Sequence, residues 1–292
     1  MHERAALELV GELVAAAGDD AATHDDSVFT IDMLHEATDF PAGTTRYTAG
    51  WRAVGASLSD IAAMGAEATV TVAVYGAPQF EETEITRFVE GAKAVSSRAG
   101  ATYVGGDLDQ HGEFTVATAA LGHTEESIGR AGAEPGDVLC VTGALGRSAA
   151  AVRYFDRGKE DRGNELFRFE PRVGAGLALA PYVTAMMDSS DGLARSLHQL
   201  SEAGDVGFQV QGDAIPIHDA LRGVTDGRET LSAAVEFGED FELVCTMPEP
   251  TLGDARGALD VDLTVIGAVR PSSEGITLDG EELSDTGYTH GS

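Results

Sequence analysis

Along the chain, stretches in which apolar and polar residues alternate give way repeatedly to stretches in which apolar residues recur every three or four positions. Alternation predicts a half-buried strand, and the longer period predicts an amphipathic helix. On that basis "SVFTIDML", "EATVTVAVYG", "ATYVGGD" and "FTVATAALG" are strands, the second rich in β-branched residues. "WRAVGASLSDIAAMGA" reads as a helix with Val54, Leu58 and Ile61 on one face and Gly65 at its end. "EETEITRFVEGAKAVSSRAG" is a longer helix with Ile85, Phe88, Val89, Ala92 and Val95 in register, and residues 4–16 form another. Pro and Gly cluster at "GRAGAEPGD", residues 129–137. Beyond that break come the strand "VLCVTG", the helix "RSAAAVRYF" and a charged loop at "DRGKEDRGNE". The strands "VGFQVQG", "FELVCTM" and "LTVIGAV" follow, and the polar end "GEELSDTGYTHGS" is expected to be partly loose. Alternating helices and strands on both sides of the break predict an α/β protein of two domains, 1–130 and 131–292.

One junction breaks the simple pattern. In "MMDSSDGLARSL" an apolar run stops at Asp188-Ser189-Ser190-Asp191-Gly192, and a helix follows with Leu193, Leu197 and Leu200 in register and Gly204 at its end. Capping by Ser189, Ser190 or Asp191 would account for one polar residue there. Two carboxylates three apart, where a strand turns into a helix, would also hold a metal. Similar junctions recur: Asp19 and Asp20 follow Gly18, Asp32 follows "FTI", Asp107 follows "YVGG", and "FGEDFEL" carries Glu239 and Asp240. Hard cations such as Mg²⁺ favour carboxylates, waters and phosphate oxygens. Neighbouring glycines let backbone N–H groups approach phosphates. In so acidic a chain, aspartates at turns and caps also arise from composition alone. Asp60 fits that explanation least, because it sits among Val54, Leu58, Ile61 and Ala62, where an unpaired carboxylate is costly to bury. A metal cluster or an arginine partner would relieve the cost, and the periodicity leaves both open.

Charge narrows the possible partners. The chain has 49 acidic and 19 basic residues, a net charge of −30, and Lys93 and Lys159 are its only lysines. The acidic residues are scattered, so the folded surface is acidic throughout. Such a surface suits high intracellular salt, where screening acts over about 3 Å. It excludes nucleic acid and anionic membranes as partners. A phosphorylated substrate remains possible where divalent cations bridge the two negative parties. No apolar run reaches a membrane span, and no signal-peptide core is visible, so a cytoplasmic protein is expected. Cys140 and Cys245 lie in strand-like apolar runs and are expected to be buried free thiols. No Walker, dinucleotide, H-E-x-x-H or G-x-S-x-G pattern is present. "VTGALGRSAA" reads best as a tight strand-to-helix turn.

Taken in order, "GDD", "TIDML", "GWRAVGASLSDIAAMGAEA", "YVGGD", "RAGAEPGD", "VTGALGRSAA", "DSSDGL", "GEDFEL" and "VIGAV" resemble the thiamine-monophosphate kinase family. That family belongs to the aminoimidazole-ribonucleotide synthetase superfamily, and the resemblance runs from Gly18 to Val269. It implies two α/β domains and a homodimer whose N-terminal domains join in a β-barrel, with ATP and several Mg²⁺ ions in the cleft. By position it implies Asp19, Thr30, Asp32, Asp60, Asp107, Asp188 and Asp191 as metal ligands, and Gly106, Arg130 and Ser190 as ATP contacts. Asp39, Glu239 and Asp285 occupy substrate positions. The implied reaction converts ATP and thiamine monophosphate into ADP and thiamine diphosphate. A phosphate oxygen is the nucleophile, so no catalytic protein base is expected. The chain departs from the family pattern at Ile31 for threonine, Asp39 for histidine, Ala99 for tyrosine and Asp285 for tryptophan. The metal positions are therefore complete, while contacts to the organic moieties have changed. Selenophosphate synthetases and hydrogenase-maturation dehydratases need a terminal cysteine that this pattern lacks. An aminoimidazole-ribonucleotide synthetase and a non-catalytic nucleotide-binding regulator remain as alternatives.

Overall fold

The computed structural model describes residues 9–11, 13–14 and 18–287, and the helix expected over 4–16 falls largely outside them. Chain order begins with strands β1 (Ala22–His24) and β2 (Ser27–His35), then helix α1 (Arg46–Ala63) and strand β3 (Glu67–Ala77). Helix α2 (Glu82–Arg98) leads to β4 (Thr102–Gln110) and β5 (Thr115–His123). These strands form a five-stranded sheet in the order β1-β2-β5-β3-β4, with only β3 and β4 parallel. The crossover that a parallel pair requires is supplied by α2.

Helix α1 starts at Arg46, earlier than its apolar register indicates, because the Thr45 hydroxyl accepts the Thr48 N–H at 3.2 Å and caps it. Nearly all of α1 is buried, including Val54, Leu58 and Ile61, because the first sheet covers one side and the C-terminal half covers the other. Trp51 ties it across by donating from Nε1 to the Phe169 carbonyl at 2.6 Å.

The C-terminal half contains β6 (Val138–Thr142), α3 (Arg147–Asp156), α4 (Glu160–Phe167), α5 (Val173–Leu179), β7 (Ala185–Asp188) and α6 (Leu193–Gly204). It continues with β8 (Val206–Val210), α7 (Gly227–Glu236), β9 (Leu243–Met247), β10 (Leu263–Pro271), β11 (Ile276–Leu278) and β12 (Glu281–Glu282). Its seven-stranded sheet has the order β12-β11-β8-β10-β6-β9-β7. Cys140 and Cys245 face each other across β6 and β9, buried and free, as their apolar settings indicate.

Two expectations change here. The segment "DRGKEDRGNE" is not a loop throughout, because its second half forms α4. Asn164 accepts the Thr45 N–H at 2.9 Å, and Leu166 and Phe167 are buried, so tertiary contacts order a segment whose composition is polar. The described part of the polar C-terminal end is also tied down. Leu283 is buried, its carbonyl lies 2.9 Å from His198 Nε2, and Asp285 pairs with Arg195 at 2.7 Å.

Among the described residues nothing covers the face of the first sheet opposite α1. Phe29, Ile31 and Met33 of β2 and Val72 and Val74 of β3 are exposed there, with Ile31 at 77%. Neither sheet closes on itself. Among the described residues no helix is long and apolar enough to cross a membrane.

Candidate active site

Three carboxylates meet at the seam between the two halves. Asp20 lies just before β1, Asp60 in the last turn of α1 and Asp188 at the end of β7, and each offers an oxygen within 4.8 Å of the others. Ser57 lies one turn before Asp60 on α1, and its hydroxyl donates to Asp32 at 2.6 Å. The Thr30 hydroxyl donates to Asp60. Thr30 and Asp32 are two apart on β2 and so share the face that meets α1.

Asp188 is fully buried; its Oδ1 accepts the Ser190 N–H at 3.2 Å, and its Oδ2 has no hydrogen-bond partner among the described residues. Among the described residues the one cation on the cluster is Arg130, whose Nη2 meets Asp20 at 2.9 Å. Burial pushes the Asp60 carboxyl well above the usual range, and the charges of Asp32, Asp188 and Asp20 add to the push. Asp188 is raised to about 7 by burial and then by Asp20. Asp32 and Asp19 are raised mainly by burial. Burial alone would lower Arg130, but Asp20 and Asp19 hold it above its ordinary value. One arginine does not balance this many acids. An orphaned buried oxygen among hard oxygen donors fits a hard divalent cation, and does not fit a thiolate- or imidazole-preferring metal.

The sequence-derived residues do not all converge. Asp20, rather than its neighbour Asp19, joins the trio. Asp19 accepts the backbone N–H groups of Asp20 at 3.0 Å and Arg130 at 3.2 Å. A hollow of about 510 Å³ beside them is lined by Asp19, Thr23, Met64, Ser127, Arg130 and Ala203. Ser189, Ser190 and Asp191 do not cap α6, because Gly192, with φ 99°, takes the cap position and no side chain bonds the first turn. Ser189 instead bridges to the segment entering β9, its hydroxyl accepting the Glu242 N–H at 3.1 Å. Ser190 is held at both ends, with its N–H on Asp188 and its carbonyl accepting the Glu239 N–H at 2.6 Å.

Asp107 is exposed on edge strand β4, paired in register with Val74, and so stands apart from the trio. A methyl group on Gly106 would run into the Ala73 carbonyl of β3, so close strand approach demands glycine there. Gly106→Ala is therefore expected to lower thermal stability by about 1–3 kcal/mol, and unchanged melting would contradict that packing. Asp39 is buried and accepts from His35 N–H at 2.6 Å and Thr38 Oγ1 at 2.8 Å, closing the turn after β2. Glu239 pairs with Arg52 at 2.7 Å.

Asp240, visible in "FGEDFEL" but without an assigned place, accepts the N–H groups of Gly146 and Ser148 at the start of α3. Burial raises it to about 7. The anion position of "VTGALGRSAA" is thus filled from within the chain, as a tight structural turn requires.

Residues 18–124 match the AIR synthase related protein, N-terminal domain, and residues 134–279 match the AIR synthase related protein, C-terminal domain. The chain belongs to the AIR synthase related family. Within that family it is 58% identical over 290 residues to the thiamine-monophosphate kinase of Halobacterium salinarum, covering 99% of this chain and 100% of the relative. It is 38% identical to the thiamine-monophosphate kinase of Methanospirillum hungatei, covering 99% of each. Among solved structures, thiamine-monophosphate kinase from Stenotrophomonas maltophilia K279a superposes with a TM-score of 0.82 at 30% identity, over 91% of this chain and 90% of that one. AaThiL complexed with AMPPCP and TMP superposes with a TM-score of 0.88 at 24% identity, over 99% and 97%.

Proposed function

We propose that this chain is a phosphotransferase that moves the γ-phosphoryl group of ATP onto thiamine monophosphate, giving thiamine diphosphate and ADP. The reading is carried by the carboxylate trio with its orphaned Asp188 oxygen, in a chain 58% identical along its length to a thiamine-monophosphate kinase. The AMPPCP and TMP bound by AaThiL support ATP as co-substrate and thiamine monophosphate as acceptor.

Asp20, Asp60 and Asp188 would hold Mg²⁺, with Thr30 and Ser57 orienting Asp60 and Asp32 around it. When bound, Mg²⁺ neutralises phosphate charge that a protein of net charge −30 would otherwise repel. The acceptor's own oxygen attacks, since a phosphate monoester has its second pKa near about 6 and is largely ionised at neutral pH. The protein's contribution is then alignment and charge balance, with no side chain required as base. Arg130 stands beside Asp20 and would take the nucleotide phosphates together with Ser190 and the Gly106 backbone. Asp19, Asp107 and Asp191 would complete the metal shell once substrates bind, and Asp39, Glu239 and Asp285 would face the organic part of the acceptor.

The same reading puts the domain boundary at residues 130/131, between the two sheets, and the enzyme in the cytoplasm. It also makes the working unit a homodimer whose first sheets meet. The uncovered apolar face of Phe29, Ile31, Met33, Val72 and Val74 supports that arrangement. Ile31→Glu is expected to leave the protein monomeric in analytical ultracentrifugation, while wild type sediments as a dimer. An unchanged dimer in that variant would mean that the two copies meet elsewhere.

The reaction is tested by chromatography of products after incubation with ATP and Mg²⁺ in concentrated KCl. Thiamine monophosphate, thiamine and no acceptor are compared. Thiamine diphosphate formed only from the monophosphate supports the reading, and ADP without it contradicts the reading.

A further inference from the structure

Arg52 is the only cation among the buried charged groups of the described residues, at 1% exposure. It sits on α1, two turns before Asp60, yet its partners all belong to the C-terminal half. The guanidinium lies 3.6 Å over the Phe167 ring, and Nη1 donates to the Phe167 carbonyl at 2.9 Å. Nη2 donates to the Glu239 carbonyl at 3.2 Å and to its Oε2 at 2.7 Å. Both bonds fall on one short loop, and that loop has an unusual backbone. Glu239 has φ 60° and Phe241 has φ 54°, left-handed values that side chains other than glycine avoid. Such a conformation persists only where its surroundings over-determine it.

Four contacts do so. Ser148 Oγ donates to the Glu239 carbonyl at 2.6 Å, and the Glu239 N–H donates to Ser190 at 2.6 Å. Phe241 stacks on Phe169 with ring centres 4.1 Å apart, and Asp240 is fixed at the start of α3. Arg52 is the contact that reaches the Glu239 carboxylate itself, which remains 18% exposed. The loop therefore touches Ser190 beside Asp188 on one side and the helix that carries Asp60 on the other.

We infer that Arg52 is a positioning residue for the acceptor: it locks the Gly238–Phe241 loop and presents the Glu239 carboxylate to the cationic organic part of the substrate. The inference rests on the thiamine monophosphate reading, because that acceptor carries a thiazolium cation that a fixed carboxylate attracts. It adds a coupling between the metal helix of one domain and the acceptor loop of the other. The Arg52 guanidinium is occupied by Phe167 and Glu239, so its effect on the acceptor passes through Glu239.

The test uses Arg52→Lys, Glu239→Gln and the double variant, with steady-state kinetics against each substrate and hydrogen exchange of the loop amides. Lysine keeps the charge but cannot stack and fork as the guanidinium does. Arg52→Lys is expected to raise KM for thiamine monophosphate by about tenfold or more, with KM for ATP unchanged within about twofold. Adding Glu239→Gln is expected to change KM by less than it does in wild type, because both substitutions remove one interaction. Exchange at the Glu239 amide is expected to quicken while the β6 and β9 amides stay protected. Equal rises in both KM values, or independent effects of the two substitutions, would reduce Arg52 to a structural staple and overturn the inference. If wild type makes no thiamine diphosphate, the reaction reading fails separately. Loop exchange then decides alone, and unchanged protection in Arg52→Lys overturns the positioning role.

Discussion

Asp188→Asn is expected to cut phosphoryl transfer by about a thousandfold or more while leaving the metal-free fold at least as stable as wild type near pH 8. Both effects come from the same geometry. The Asp188 carboxylate is fully buried, has one oxygen without a hydrogen-bond partner among the described residues and shares its site with Asp20 and Asp60. A carboxyl raised from 3.8 to about 7 carries a penalty on the order of a few kcal/mol when forced to ionise without a counter-ion. Asparagine removes that penalty together with the charge on which a divalent cation depends. An ordinary structural aspartate would give the opposite pair of results, with activity retained and stability lost. Kinetics and denaturant unfolding of the one variant therefore separate the two roles.

The second large effect is on stability against pH. In the presence of EDTA the protein is expected to lose stability as pH rises from about 4 through 7. Asp188 and Asp240 are held near 7 and Asp60, Asp32 and Asp19 are displaced in the same direction, against 3.8 in an unfolded chain. Each binds its proton more tightly when folded, so its contribution is complete below about 4 and disappears as pH passes the folded value. Mg²⁺ is expected to restore much of the loss at pH 8 and little at pH 5, where protons already occupy the cluster. The share due to Asp240 is expected to remain, because that carboxylate meets α3 and lies outside the trio. Denaturant melts at the two pH values, with and without Mg²⁺, measure this directly. Equal stabilisation by Mg²⁺ at both would contradict a cation bound by the carboxylates.

The elements that the sequence made legible are those whose burial imposes a period. β2, β3 and α2 each pack one face on the core and α1 is buried on nearly every side, so their apolar residues recur in register. α4 could not be read that way, because its order depends on Asn164 reaching Thr45, far away in the chain. The candidate site was legible as chemistry and only partly as geometry. Acids beside glycines and serines pointed to a cation, and Asp60 within an apolar helix was the sharpest sign. Adjacent Asp19 and Asp20 are indistinguishable by composition, and backbone direction alone brings Asp20 to Asp60 and Asp188. The capping offered by Ser189, Ser190 or Asp191 is not made, because Gly192 caps α6, and Ser189 and Ser190 bond instead to Glu242 before β9 and to Glu239. Arg52 could not be singled out, since an arginine near a helix start reads as surface until its aromatic and carboxylate partners fold over it.

Phosphorus NMR of wild type mixed with ATP and thiamine monophosphate, before and after Mg²⁺ is added, tests metal-dependent phosphoryl transfer most directly. The predicted result is growth of ADP and thiamine diphosphate signals in equal amounts, only with Mg²⁺ and not with Asp188→Asn. Transfer that persists in EDTA or in that variant, or ADP that accumulates with free phosphate, would contradict the account.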